Sequence, residues 1–204
     1  MKKYGVVLIG CGYMGSLHLD AIIRHERVRL VGVVDWNKEK AAQVAHKYGT
    51  TCWSNDYRNL IQRDDVDFVI IATYPSSHLE IAKASIAAGK HVLCEKPIAK
   101  SSMETLEFVK MAKESKPKVM IGHILRHNST YQTVMKMIHD GAVGSPMVMR
   151  FTQLKRSKDW ATHLSLLKDA SPIVDCGVHY IDVMRWATGA DVLSVNGIGQ
   201  RLEE

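Results

Sequence analysis

The texture of the first two dozen residues constrains this chain more than any other feature. Val6-Val7-Leu8-Ile9 is apolar without interruption, breaks into Gly10-Cys11-Gly12-Tyr13-Met14-Gly15, and is followed by Leu17, Ala21 and Ile22 at helical spacing. An unbroken apolar run of this length marks a strand buried on both faces. A strand that leaves through glycines directly into a helix is a βα turn. It commits the chain to parallel strands joined by helical crossovers.

The rhythm continues. Val28–Val34 reads as a second strand ending at Asp35, and Lys38–Tyr48 as a helix closed by Gly49. Phe68–Ala72 is a third strand, Ser77–Ala88 a helix closed by Gly89, and His91–Cys94 a fourth strand. Ser101–Lys113 follows as a helix whose start, Ser101-Ser102-Met103-Glu104, has the form of a capping box, and Lys118–Ile121 is one more short strand. Strands alternating with helices in this way predict an α/β fold, a doubly wound Rossmann sheet with helices on both faces.

After Gly122 the pattern changes, so the boundary is placed there, with residues 1–122 and 123–204 as two domains. A helix over Ser129–His139 ends at Gly141, and Pro146–Lys155 reads as one long strand. Arg156–Ser171 is polar and irregular, Gly177–Ala187 reads as a helix, and Asp191–Ile198 as a final strand. Two strands make a marginal sheet by themselves. The second domain is therefore expected to be partial or completed by a partner, and its open edges to favour a homo-oligomer.

Composition narrows the class. The 204 residues are 46% hydrophobic and 24% charged, enough to bury a core, and no uncharged apolar run is long enough for a membrane span. Lys and Arg outnumber Asp and Glu by 27 to 21, but the surplus is scattered rather than gathered into a basic stripe, which argues against nucleic acid. The four cysteines, Cys11, Cys52, Cys94 and Cys176, form no CxxC pair and read as reduced thiols, and the histidines are too dispersed for a metal site. Met1-Lys2-Lys3-Tyr4 leads straight into a strand, so a cytoplasmic protein is expected.

Three stretches carry chemistry. In the first, Gly10 permits the tight turn, Gly12 lets a pyrophosphate approach the backbone, and Gly15 lets the helix pack against the sheet. Asp35 lies about twenty residues beyond Gly15, where an acid binds the ribose hydroxyls of a dinucleotide. This favours NAD over NADP, with Lys38 close enough to leave NADP open. The competing reading makes the glycines an ordinary turn and Asp35 a helix cap.

The second stretch is Glu95-Lys96-Pro97, placed beyond the carboxyl end of a strand, where ligands bind in open α/β sheets. The third is Asp175-Cys176-Gly177-Val178-His179, whose aspartate and histidine share one helix face. Lys96 would hold a substrate oxygen, His179 would exchange its proton, and Asp175 would orient the imidazole or bind a hydroxyl. The plainer alternatives are a surface lysine in a turn, an N-cap aspartate and a core histidine.

In this order, together with His18, Thr73-Tyr74-Pro75-Ser76-Ser77-His78, Gly122 with Arg126, and Gly141–Gly144, these motifs resemble the Gfo/Idh/MocA oxidoreductases. The resemblance implies a Rossmann domain followed by an α+β domain with a mostly antiparallel sheet, here truncated. It also implies NAD(P) as cofactor and a sugar, cyclitol or related polyol as substrate. By position it assigns Lys96, Asp175 and His179 to catalysis. It assigns Gly10, Gly12, Tyr13, Met14, Gly15, Asp35, Thr73, Tyr74, Pro75, His78, Glu95, Lys96 and Arg126 to the cofactor. The chain departs from the family at Ser76-Ser77, where an asparagine usually follows the proline, and at Ala170-Ser171-Pro172, where a glycine pair is usual. The expected activity is hydride transfer between NAD(P) and a secondary alcohol. Rival expectations are a non-catalytic NAD-binding scaffold and NAD-assisted glycoside cleavage.

Overall fold

The apolar runs line up as one parallel sheet. The computed structural model describes residues 2–145, 148–153, 169–171 and 173–199. Its strands are β1 (Tyr4–Ile9), β2 (Val28–Val34), β3 (Trp53–Ser54), β4 (Phe68–Ile71), β5 (His91–Cys94) and β6 (Val119–Ile121). They lie side by side in the order β3-β2-β1-β4-β5-β6, every pair parallel. The connecting helices are α1 (Tyr13–Arg24), α2 (Lys38–Lys47), α3 (Arg58–Ile61), α4 (Pro75–Ala87) and α5 (Ser102–Glu114). The short pair β3 and α3 has no counterpart in the sequence reading, because two strand residues and one helical turn are too few to show a period.

Side-chain alternation along β1 divides the core in two. Val7 and Ile9 pack with Ile81 of α4 and Phe108 of α5, whereas Val6 and Leu8 pack with Leu19 of α1 and Ala45 of α2. Both faces are thus covered, which is why β1 shows no polar alternation. Leu8 and Leu19 are fully buried, each contributing about 1.5–3 kcal/mol by leaving water.

The register sets the site. Ile9 is paired with Val34 on one side and Ile71 on the other, and Ile71 with Cys94. The carboxyl ends of β2, β1, β4 and β5 therefore fall in line. The loops that leave them begin at Asp35, Gly10, Ala72 and Glu95. Connections run outward in opposite directions from the junction of β1 and β4, the place where open α/β sheets bind ligands.

The described residues form two compact units, residues 2–123 with 169–171 and 173–176, and residues 124–145 and 148–153 with 177–199. In the second unit a 3₁₀ turn at Ile124–His127 precedes α6 (Ser129–His139), and α7 (Val178–Thr188) follows later in the chain. Met135, Val183 and Ala187 form its small core, with Leu125, Tyr131 and Trp186 packed around them. α7 ends at Gly189, whose φ of 65° is left-handed and suits glycine.

The strands expected over Pro146–Lys155 and Asp191–Ile198 are not formed among the described residues. Residues 148–153 and 190–199 are irregular, and residues 146–147 and 154–155 lie outside that description, as does most of the polar Arg156–Ser171 stretch. A strand is held by its ladder and by a face to bury against, and β propensity alone supplies neither. Leu193 and Ile198 accordingly stand fully exposed.

Candidate active site

The three glycines of the first loop do different jobs. Gly10 has a φ of +98°, and a Cβ there would lie 2.4 Å from the Ala72 carbonyl oxygen. A Cβ on Gly15 would stand 2.0 Å from the Gly10 oxygen. Both are therefore demanded by packing between the loop, α1 and the turn after β4. Gly12 has nothing within 4 Å of its missing Cβ, so its backbone faces open space. It is also the N-cap of α1, which has no side-chain cap and no acid in its first turn. An uncapped helix start beside a glycine with open space before it fits a pyrophosphate. Tyr13 is exposed and Met14 half-buried at the same turn.

Asp35, only 6% exposed, fastens this loop to the end of β2. Its Oδ2 accepts from the Cys11 N–H at 2.9 Å and lies 3.8 Å from Lys40 Nζ, while Oδ1 accepts from the Asn37 N–H at 3.0 Å. The cap of α2 is Asn37, whose side chain accepts from the Lys40 N–H, so Asp35 is not held in place as a helix cap. Burial, followed by the neighbouring Asp35 carboxylate, pushes the Cys11 thiol up to about 12. It is a packed, protonated thiol.

The His78 ring is wholly buried, with Nδ1 2.9 Å from the Pro97 oxygen and Nε2 3.2 Å from the Thr73 oxygen. It ties the turn after β4 to the loop after β5 and leaves no ring nitrogen for a cofactor. The ring holds two loops together, and a direct contact between it and a cofactor has no support from this geometry. Burial moves its pKa below the usual imidazole value, more strongly than its backbone partners raise it. In the same turn, Pro75 opens α4 and Ser77 Oγ donates to Thr73 Oγ1 at 2.8 Å, while Tyr74 remains partly exposed.

Beyond β5, Glu95 is buried and its Oε1 meets His18 Nε2 at 2.8 Å. A Cβ on Gly122 would come within 3.1 Å of the Glu95 carboxyl group. The Lys96–Pro97 peptide is cis. Lys96 Nζ donates to Asp175 Oδ1 at 2.7 Å and to the Asp175 backbone oxygen at 2.8 Å. Asp175 lies on a π-helical turn, Ile173–Gly177, and its Oδ2 accepts from Cys176 Sγ at 3.4 Å. Two of the three ammonium donors are directed at Asp175, leaving one for a substrate oxygen.

Two predicted residues belong to the second unit. His179 is half-buried in the first turn of α7. Arg126 makes a two-point pair with Asp182, Nε to Oδ2 at 2.8 Å and Nη2 to Oδ1 at 2.9 Å, with its guanidinium over the Trp186 ring. Its position is set by α7. Its expected contact with the cofactor has no support from this geometry.

The family comparison agrees with the fold. Residues 4–123 match the model described as oxidoreductase family, NAD-binding Rossmann fold, and residues 131–204 match the C-terminal domain of the same family. The chain belongs to the Gfo/Idh/MocA oxidoreductases. Among curated Gfo/Idh/MocA-like relatives, inositol 2-dehydrogenase 2 of Saccharopolyspora erythraea is 30% identical over 189 residues, covering 92% of this chain and 54% of that protein. The 4-carboxy-2-hydroxymuconate-6-semialdehyde dehydrogenase of a Sphingobium species is 33% identical over 168 residues, covering 78% of this chain and 53% of its own. The solved myo-inositol 2-dehydrogenase of Lactobacillus plantarum superposes with a TM-score of 0.86 at 24% identity, over 92% of this chain and 57% of that one. The chain thus spans about half the length of the curated relatives it matches.

Sequence reasoning left several partners in this Gfo/Idh/MocA site unassigned. His18 as the partner of Glu95, Gly122 against that carboxylate, and Asp169 at the start of α4 all depend on contacts between distant segments. Among the described residues, no group of three or more His, Cys, Asp or Glu is arranged to hold a metal ion, and no helix is long and apolar enough to cross a membrane.

Proposed function

We propose that the chain carries the NAD(P)-binding and catalytic residues of a dehydrogenase acting on a secondary alcohol of a cyclitol or related polyol. The observation that carries this reading is the Lys96–Asp175 pair. Lys96 follows β5, whose carboxyl end stands in register with those of the strands that feed the glycine loop and Asp35. Membership in an NAD-binding Rossmann family and the names of the relatives agree with it.

Gly12 and the start of α1 would receive the pyrophosphate, and Asp35 the adenosine ribose hydroxyls. When bound, NAD supplies the hydride acceptor. Lys96 keeps its ammonium anchored on Asp175 and turns its remaining donor to the substrate oxygen, stabilising negative charge as the hydroxyl proton leaves. His179 takes that proton, a task suited to an imidazole near neutral pH. Asp175 fixes the direction of the Lys96 ammonium and borders a substrate hydroxyl. Glu95, held by His18, borders the place reserved for the nicotinamide ribose.

The test is incubation of the purified chain with NAD, then NADP, and a panel of inositols, aldoses and a carboxylated semialdehyde. Steady NADH formation with a polyol upholds the reading. Preference for the semialdehyde would move the substrate toward that of the Sphingobium relative. Product without net NADH would favour glycoside cleavage, and NAD binding without any product would favour a scaffold.

A further inference from the structure

Among the described residues, two ion pairs hold the segment that carries Asp175. The loop after β5 has two ammonium groups four residues apart, and each meets a carboxylate of the segment. Lys96 Nζ donates to Asp175 Oδ1 at 2.7 Å, and Lys100 Nζ lies 3.6 Å from Asp169 Oδ1. The other Asp169 oxygen, Oδ2, accepts at 2.9 Å from the N–H of Ser76, the second residue of α4. Between the two aspartates, the Ser171 carbonyl accepts from the N–H groups of both Val174 and Asp175, at 2.9 and 2.8 Å. The described links therefore run from α4 through Asp169, and from Ser171 to Asp175 and Lys96.

We propose that Asp169 is a positioning residue that sets Asp175 against Lys96. Its contact at α4 is the stronger of its two bonds. An anionic acceptor on a first-turn N–H is charge-assisted and aligned with the helix dipole, and the Asp169 side chain is only 13% exposed. Lys100 is half-exposed, so its ion pair adds less. Asp175 itself rests on one π-helical turn, which has little rigidity of its own. Releasing the upstream anchor lets the Lys96–Asp175 pair spread over more geometries. Misplacement of a positioning group is expressed as lost rate rather than lost cofactor affinity. The kinetic consequence rests on the proposed function; the grip itself does not.

The test is a double-mutant cycle on the 204-residue chain, with Asp169→Ala, Asp175→Asn and the double variant. It is read by NAD affinity, by kcat, and by hydrogen exchange in the peptide spanning Ile173–Gly177. Asp169→Ala is expected to lower kcat about tenfold with NAD affinity changed by less than about twofold. In the Asp175→Asn background it should cost less than about twofold, since the ion pair it positions has already been reduced to a neutral hydrogen bond. Exchange in Ile173–Gly177 should speed up. Asp169→Asn retains an oxygen for the Ser76 N–H and should keep kcat within about threefold. A helix cap with no further role would destabilise α4, cost the same in both backgrounds and leave exchange in Ile173–Gly177 unchanged; that pattern overturns the proposal. Asp169→Ser takes the place of Asp169→Ala if the latter does not fold. Should the wild type turn over no polyol, the functional reading fails and exchange alone decides the grip, faster in the variant upholding it and unchanged overturning it.

Discussion

Lys96 Nζ sits 2.7 Å from Asp175 Oδ1 and 2.8 Å from the Asp175 backbone oxygen, joining residues 79 positions apart in the chain. Both groups are largely withdrawn from water, with side-chain exposures of 16% and 17%. Removing one partner of such a pair leaves the other charge poorly compensated, so Asp175 is tested by a variant that keeps its shape and changes its charge. Asp175→Asn retains an acceptor for Lys96 and is expected to lower kcat while preserving the fold. A thermal melt displaced to the same degree as kcat would assign the pair to stability alone.

The glycine loop separates two effects in one experiment. Gly12→Ala meets open space and should change stability by no more than about 1 kcal/mol while weakening NAD binding. Gly15→Ala places a methyl 2.0 Å from the Gly10 oxygen and should cost about 3 kcal/mol or more. Urea denaturation beside NAD titration of both variants checks the distinction. Equal destabilisation by the two would contradict it.

Asp35 both holds the loop and presents a negative charge. Asp35→Asn keeps an oxygen acceptor for the Cys11 N–H, so the fold should persist. The loss of charge should shift the NADP-to-NAD affinity ratio toward NADP by about tenfold or more. Titration with both dinucleotides measures it, and an unchanged ratio removes Asp35 from cofactor choice.

His78 should give the protein a pH-dependent stability. Its folded pKa is depressed by burial, and its unfolded value is about 6.5. Below that value the unfolded chain takes up a proton that the folded chain refuses. The contribution of His78 is thus fully present above about pH 6.5 and is lost as pH falls toward the folded pKa, with a slope of at most about 1.4 kcal/mol per pH unit. His78→Asn can still donate toward the Pro97 oxygen but does not titrate. Urea midpoints from about pH 7.5 to 5.5 should fall more for the wild type than for the variant. Parallel curves would show that the folded and unfolded chains protonate His78 equally, contradicting a depressed folded pKa.

The parallel sheet was legible because buried strands announce themselves as unbroken apolar runs, as in Val6–Ile9 and Phe68–Ile71, and because Gly49 and Gly89 mark helix ends with positive φ. The capping box at Ser101 and Glu104 was legible for the same local reason. The register that brings Gly10 against Ala72 is not local, and neither are the Glu95–His18 and Asp169–Ser76 contacts. Individual site residues could be named from motifs, but who touches whom was decided by strand order. His78 shows the difference: the motif marked the residue, while its burial against the Pro97 and Thr73 oxygens was set by contacts between distant segments. Residues 148–153 and 191–198 are irregular although both segments read as strands, because β propensity reports a capacity for pairing and a strand also needs a neighbour.

The most direct test of the central claim is one paired measurement on wild type and Lys96→Ala, NAD affinity by titration and NADH formation with the best polyol substrate. NAD affinity is expected to stay within about threefold and turnover to fall about 100- to 1,000-fold, as for loss of a donor to a developing oxyanion. Turnover unaffected by the substitution, or lost only in proportion to NAD binding, would contradict it.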